Sequence, residues 1–162
     1  MGVTEDLATF ACGLEFEQIP HEALVWANDA LLDCTGVTLA GSQEEAGRIV
    51  TDYVKKAAGR PEAGVFAAGF RTAAAEAALA NGTMAHALDF DDYDTSTWTG
   101  HPTAPLLPAI FALGQRQKAS GRDVLTAYIV GFEVGGRIGA GLGHGYYEQG
   151  WHATSLLGTM GA

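Results

Sequence analysis

The chain has 162 residues, of which 48% are hydrophobic and only 17% charged, and it carries a formal net charge of −10. That is long and apolar enough for one domain with a real core, and it excludes a disordered chain. The anionic total argues against sequence-independent nucleic-acid binding and against docking on anionic membranes, but a local cluster of histidines or helix N-termini can still hold an anionic substrate.

Taken in chain order, the periodicity is helical almost throughout. The first ten residues, MGVTEDLATF, lack the basic and apolar regions of a signal peptide, and Asp6 stands where N-myristoylation wants Ser or Thr. The expectation is a soluble, cytoplasmic protein. Leu7, Phe10, Ala11 and Leu14 share one helix face, with Thr4 as N-cap. Pro20 suits a first helical position and opens a helix whose Leu24, Ala27, Leu31, Cys34 and Thr38 lie on one face. Ser42 and Glu45 have the spacing of a capping box, and behind them Ile49, Tyr53 and Val54 form a stripe ending at Gly59. GRPEAGVFAAGF is expected to hold a brief strand or a buried turn. An alanine-rich helix follows from about Thr72 to a stop at Asn81-Gly82. Pro105 begins the next helix, which runs to about Lys118. DVLTAYIVGFEVGGRIGAGLG then reads as one long buried helix with Gly131, Gly135 and Gly139 on a single face. Glu133 and Arg137 can pair within it and weigh against a transmembrane reading. No strand alternation lasts long enough to predict a sheet, so the fold class is all-α. Cys12 and Cys34 form no CxxC pair, and they are expected to be free thiols in a reducing compartment.

The chemistry concentrates in NGTMAHALDFDDYDTSTWTGHPTAP, residues 81–105, which holds Asp89, Asp91, Asp92, Asp94, His86 and His101. Asp89 and Asp92 would share a face on a helix end, with Asp91 pointing elsewhere. An EF-hand starting at Asp89 would need Gly and Glu where Asp94 and Gly100 stand. A DDxxD magnesium motif would want an acid at Thr95. Zinc through His86, Asp89 and His101 fits by residue type but matches no familiar spacing. A solvated acidic turn with aspartates capping helices is the plainer alternative. His101, held by Pro102 beside a helix start, is placed to bind an anion or move a proton near neutral pH. His152 precedes Thr154 and Ser155, which open a last helix whose N-terminus can hold a carboxylate. His21 and His144 read as surface or loop residues. The glycines from Gly139 to Gly145 do not fit a dinucleotide-binding loop, and the sequence holds no P-loop, HExxH or GxSxG.

Taken together, LLDCTGVTLAG (31–41), ANGTMAHALDFDD (80–92), GHPTAPLLPAIFAL (100–113), GFEVGGRIG (131–139) and HATSLLGTMGA (152–162) resemble the MmgE/PrpD family, in order and across nearly the whole chain. The resemblance implies a helical domain plus a smaller α/β lid domain, usually in a homodimer. Residues 1–162 are accordingly expected to be part of the helical domain, cut short at the C-terminus and lacking the lid. It also implies a cofactor-independent lyase or dehydratase that moves a proton next to a carboxylate of a small polycarboxylate, 2-methylcitrate-like or cis-aconitate-like, without a metal. An iminodisuccinate-type epimerase is the alternative within the family. Asp89 and His101 match its catalytic positions, and His152, Asp92 and Thr95 are assigned to substrate binding; Tyr93 stands where a threonine is common. Family members are considerably longer. The expected lysines of the pocket would come from later sequence, in the same polypeptide or in a companion chain. A non-catalytic helical subunit and a magnesium-binding helical protein are the competing readings.

Overall fold

The computed structural model describes residues 2–143 and 145–162; the reading of His144 as a loop residue falls outside them. Helix α1 (Val3–Gly13) half-buries the expected Leu7, Phe10 and Ala11 against the long helix α6 (Gly121–Leu142). Its N-cap is Gly2 rather than Thr4, because Thr4 already lies inside the first turn. After a 3-10 turn at Phe16–Gln18, Pro20 takes the N-cap position of α2 (His21–Gly41), one residue before the expected first helical position. The predicted inward face of α2 is observed, with Ala27, Cys34 and Thr38 buried. Burial, aided by the Asp92 charge, pushes the Cys34 thiol up to about 12, so it stays a protonated core residue at neutral pH.

The capping box expected at Ser42 does not form. Ser42 instead closes α2, its hydroxyl donating to the Leu39 carbonyl at 2.6 Å. Helix α3 (Glu45–Ala57) starts at Glu44 with no side-chain cap. Its buried face is also rotated from the expected stripe. Of that stripe Val54 is buried as expected, but Ile49 and Tyr53 are exposed and Gly47 is buried in their place. The reason is a close approach: a Cβ at Gly47 would overlap the Gly41 carbonyl, so this bare side of α3 is the one that meets the end of α2.

Strands β1 (Ala63–Gly64) and β2 (Arg71–Thr72) pair antiparallel, Ala63 with Thr72 and Gly64 with Arg71. This brief hairpin is the strand segment expected of GRPEAGVFAAGF, and it forms a small sheet that alternation did not predict. Helix α4 (Ala74–His86) runs straight through Asn81-Gly82, read as a stop. Asn81 is buried; its amide donates to the Gly64 carbonyl at 3.0 Å and accepts from the Phe66 N–H at 2.9 Å. Fixing this hairpin replaces any capping role. The alanines of α4 let it pack on α2, α3 and α5 (Thr103–Gln117), with Val54, Val65, Met84 and Ala112 filling one core cluster.

Helix α5 begins two residues before Pro105, which therefore sits in the first turn, where a missing N–H costs nothing. Lys118 closes the helix in the left-handed region, at φ 58°. A capping box does form at the start of α6, between Ser120 and Asp123. Gly131, Gly135 and Gly139 line one buried face as expected, but no single helix runs along it. Gly131 meets the Gly161 carbonyl at the end of α8 (Ala153–Gly161), Gly135 the Trp98 ring and Gly139 the Thr97 carbonyl. Glu133 and Arg137 pair at 2.8 Å. After the short α7 (Gly145–Glu148), α8 starts at Ala153 with His152 as its N-cap. Among the described residues, no helix is long and apolar enough to cross a membrane.

Candidate active site

The chemistry-bearing loop is strung between the C-terminus of α4 and the N-terminus of α5. His86 is the last residue of α4, and the chain reverses at Asp89, whose φ of 50° lies in a region aspartate tolerates better than most residues. The helical period therefore ends before the acids, and Asp89 and Asp92 do not share the expected face: Asp89 turns to solvent and Asp92 turns in to Thr103. Asp89 is 81% exposed at its side chain, whereas Asp91, expected to point elsewhere, is fully buried.

The rest of the loop is clamped from inside. Asp94 and Gly100 exchange backbone hydrogen bonds of 3.0 and 3.2 Å. The Asp94 carboxylate accepts from the N–H groups of Ser96, Thr97 and Trp98 at 3.1, 2.7 and 2.8 Å. Partial burial works to raise the Asp94 carboxyl, but these bonds outweigh it and hold the group below its ordinary value. Trp98 is fully buried, and its indole N–H donates to the Phe132 carbonyl of α6 at 2.9 Å. Asp92 faces α5, accepting from the Thr103 N–H at 3.2 Å and the Thr103 hydroxyl at 2.6 Å, and that hydroxyl lies 2.7 Å from the Tyr128 hydroxyl. Burial raises the Asp92 carboxyl, opposed by the two bonds from Thr103. Burial likewise pushes the Tyr128 phenol up.

His101 is delivered by the clamp. Its backbone N–H donates to Thr154 Oγ at 3.1 Å, and Gly100 packs tightly, a Cβ there lying 3.0–3.1 Å from Ala153 and Thr154. The start of α8 is thus docked onto His101. The His101 ring places Nδ1 3.2 Å from Asp91 Oδ2 and Nε2 3.5 Å from Asp89 Oδ1. The His86 Nδ1 lies 3.0 and 3.1 Å from the two Asp91 oxygens. The two imidazoles stand edge to face at 4.6 Å, and Tyr93 stands against the other side of the His101 environment at 5.0 Å between ring centres.

Of the residues assigned from the sequence, the structure brings Asp89 and His101 into contact. Asp92 neighbours them in the loop but spends both oxygens on Thr103. His152 is exposed at the N-cap of α8, beside the Tyr147 ring at 6.1 Å. Thr95 is exposed in the turn that Asp94 caps, and the aromatic contact to His101 comes from Tyr93. Sequence reasoning weighed His86 only as a zinc ligand, assigned no role to Asp91, and took Thr154 only as an opener of the last helix. The i, i+5 spacing of His86 and Asp91 across a helix end was the available signal for the first two. Nothing in the sequence pointed to the Thr154 contact.

One donor atom from each of His86, Asp89, Asp91 and His101 lies within 4.8 Å of the others, close enough to hold a metal ion. Two imidazoles and two carboxylates suit a borderline transition metal better than magnesium. A cavity of about 780 Å³ between α1, α5 and α6 does not reach this cluster. A groove of about 660 Å³ does border Asp92 and Tyr93, with Trp26, Asp33, Tyr128 and Phe132 in its walls. The geometry rather than cavity size sets this cluster apart: a buried carboxylate, two imidazoles and an exposed carboxylate meet at the surface of this chain.

The ordered motifs, the helical fold and this cluster define an MmgE/PrpD-type domain. The chain belongs to the MmgE/PrpD family, with its residues 5–162 matching the MmgE/PrpD N-terminal domain. It is 32% identical to the cis-aconitate decarboxylase-like protein oryM of Aspergillus oryzae, over 99% of this chain and 35% of that protein. It is 33% identical to cis-aconitate decarboxylase of Mus musculus and 31% identical to that of Homo sapiens, over 99% of this chain and 34% of each relative. The chain thus spans about a third of the length of these relatives.

Proposed function

We propose that the complete protein is a cofactor-independent lyase that acts on a small polycarboxylate by moving a proton at a carbon next to a carboxylate. The observation that carries this reading is the contact of His101 with Asp89 and Asp91 beside the start of α8. An imidazole is suited to exchanging a proton near neutral pH. In a decarboxylation, the electron pair left by departing CO₂ takes up a proton delivered by the imidazole. In a dehydration, the imidazole or the exposed carboxylate removes the proton from carbon, and the protonated group then gives a proton to the departing hydroxyl, which leaves as water. The names of the relatives favour a cis-aconitate-like acid over a 2-methylcitrate-like one, and an iminodisuccinate-type epimerisation would use the same first step.

Asp89 and His101 carry the proton in this reading. His152 and the free N–H groups opening α8 receive a substrate carboxylate. Asp92 serves by holding Thr103 and the start of α5 in place, and Thr95 faces the substrate from the exposed turn. The substrate's remaining negative charges call for cations, since paired charge offsets the cost of desolvation. These are assigned to sequence outside the matching third of the relatives' length or to a companion chain.

The test is turnover by the complete protein of cis-aconitate, 2-methylcitrate and iminodisuccinate, with products followed by proton NMR. Activity on one of them is expected, and His101→Ala should lower kcat by about two to four orders of magnitude. A wild-type protein inert towards all three, or a His101→Ala variant of near-normal turnover, would sink the reading.

A further inference from the structure

We infer that Asp91 is the positioning residue of this site: its one carboxylate faces Nδ1 of both His86 and His101, leaving Nε2 of His101 as the nitrogen that exchanges the substrate's proton. The inference rests on the proton-transfer reading above and adds to it a specific role for Asp91, which that reading cites only as a contact of His101.

The three aspartates of the loop divide their oxygens differently. Asp94 spends its carboxylate on backbone N–H groups of its own turn, and Asp92 on Thr103. Asp94 caps its own turn locally, and Asp92 holds the start of α5 from eleven residues away. Asp91 is fully buried, and among the described residues its side-chain hydrogen bonds go only to His86, at 3.0 and 3.1 Å. Its Oδ2 also lies 3.2 Å from His101 Nδ1. Burying a carboxylate is costly unless its lone pairs are used, and here the partners in reach are two imidazoles that offer the same ring atom.

An ionised carboxylate only accepts hydrogen bonds, so a neutral imidazole facing it carries its proton on the facing nitrogen. Nδ1 is therefore the protonated atom and Nε2 holds the lone pair. In His101, Nε2 also faces a carboxylate, Asp89 at 3.5 Å, but that group is 81% exposed and screened by solvent, so the buried Asp91 at the shorter 3.2 Å decides the tautomer and leaves Nε2 on the open side. The His101 Nδ1 is buried and its N–H is out of line with Asp91. Hydrogen bonds of this kind are often bent in the unliganded enzyme and straighten when substrate binds. His86 Nδ1 straddles both oxygens of Asp91, at 3.0 and 3.1 Å, and keeps the carboxylate from rotating away.

The test is long-range ¹H–¹⁵N correlation on the complete protein labelled at histidine, which separates protonated from lone-pair ring nitrogens. At a pH where His101 is neutral, its proton is expected on Nδ1. In Asp91→Asn the amide can donate to Nδ1, so the proton should move to Nε2, and kcat should fall about 10²–10⁴-fold with KM little changed. A wild-type His101 protonated on Nε2 would overturn the inference without any variant, which covers the case of an Asp91→Asn protein that does not fold. An unchanged tautomer in folded Asp91→Asn would overturn it too. The expected tautomers in a protein that turns over no polycarboxylate would support the assignment of Asp91 and defeat only the lyase reading.

Discussion

At the residue scale, neighbouring aspartates do three different jobs because the backbone turns between them. Asp89 is exposed and faces His101, Asp91 is buried between two imidazoles, and Asp94 ties the loop together. Asp94 gives the clearest pH prediction. Its folded-state carboxyl is held below the ordinary value of 3.8, so its stabilisation is present above that pH and is lost as pH falls through the lower folded value. Asp94→Ala should cost about 1–2 kcal/mol at neutral pH in urea unfolding, the size of a lost cap. The gap between variant and parent should close in strongly acidic buffer. A gap independent of pH would mean that the bonds from Thr97 and Trp98 are not what stabilises this loop. Which residue types crowd into the loop was legible from the sequence. Which carboxylate turns inward was not, because the left-handed turn at Asp89 breaks the helical period on which that reading depended.

At the element scale, the site is held by helices that approach closely where glycine allows it. Gly135 of α6 lies against the Trp98 ring, and a Cβ there would overlap it. Gly135→Ala should therefore destabilise by about 1–3 kcal/mol through overpacking, and it should loosen the loop that carries His101. Gly141, on the same helix, has nothing within 4 Å of its Cβ position, and Gly141→Ala should stabilise by roughly 0.5–1 kcal/mol. Thermal or urea unfolding of the pair checks the argument; equal effects would show that helix propensity and not the Trp98 contact decides. The glycine face and the inward face of α2 were readable because each repeats at the helical period. The start of α3 and the run of α4 through Asn81-Gly82 were misread because tertiary partners decided them. Ser42 is used by α2, Gly47 turns α3 onto Gly41, and Asn81 is used by the hairpin.

At the scale of the whole molecule, apolar surface remains uncovered. Trp26, Phe90 and Trp151 are 67%, 77% and 58% exposed, and Leu32 and Met160 are also exposed. Exposed apolar groups of this size suit contact with further protein, and Phe90 and Trp151 lie near the residues of the proposed site in sequence. We propose that the working assembly is a homo-oligomer or includes a companion chain. A native mass spectrum of the protein from its source cells is expected to show such a complex, and catalysis should follow it. A monomer of this chain alone, inert towards citrate-like acids, would favour a non-catalytic helical subunit.

The sequence by itself determined the class of fold and the family. Helical periodicity is local and survives in the order of residues, and the ordered motif set is a property of the chain before it folds. The arrangement of the site was decided only by the tertiary structure. Asp91 is inside and Asp89 outside because the chain reverses after α4. His101 is fixed because Trp98 anchors its loop on α6 and because Thr154, 53 residues away, accepts its backbone N–H. Those contacts join segments far apart in sequence. No local pattern encodes them, since each depends on where packing brings the partner.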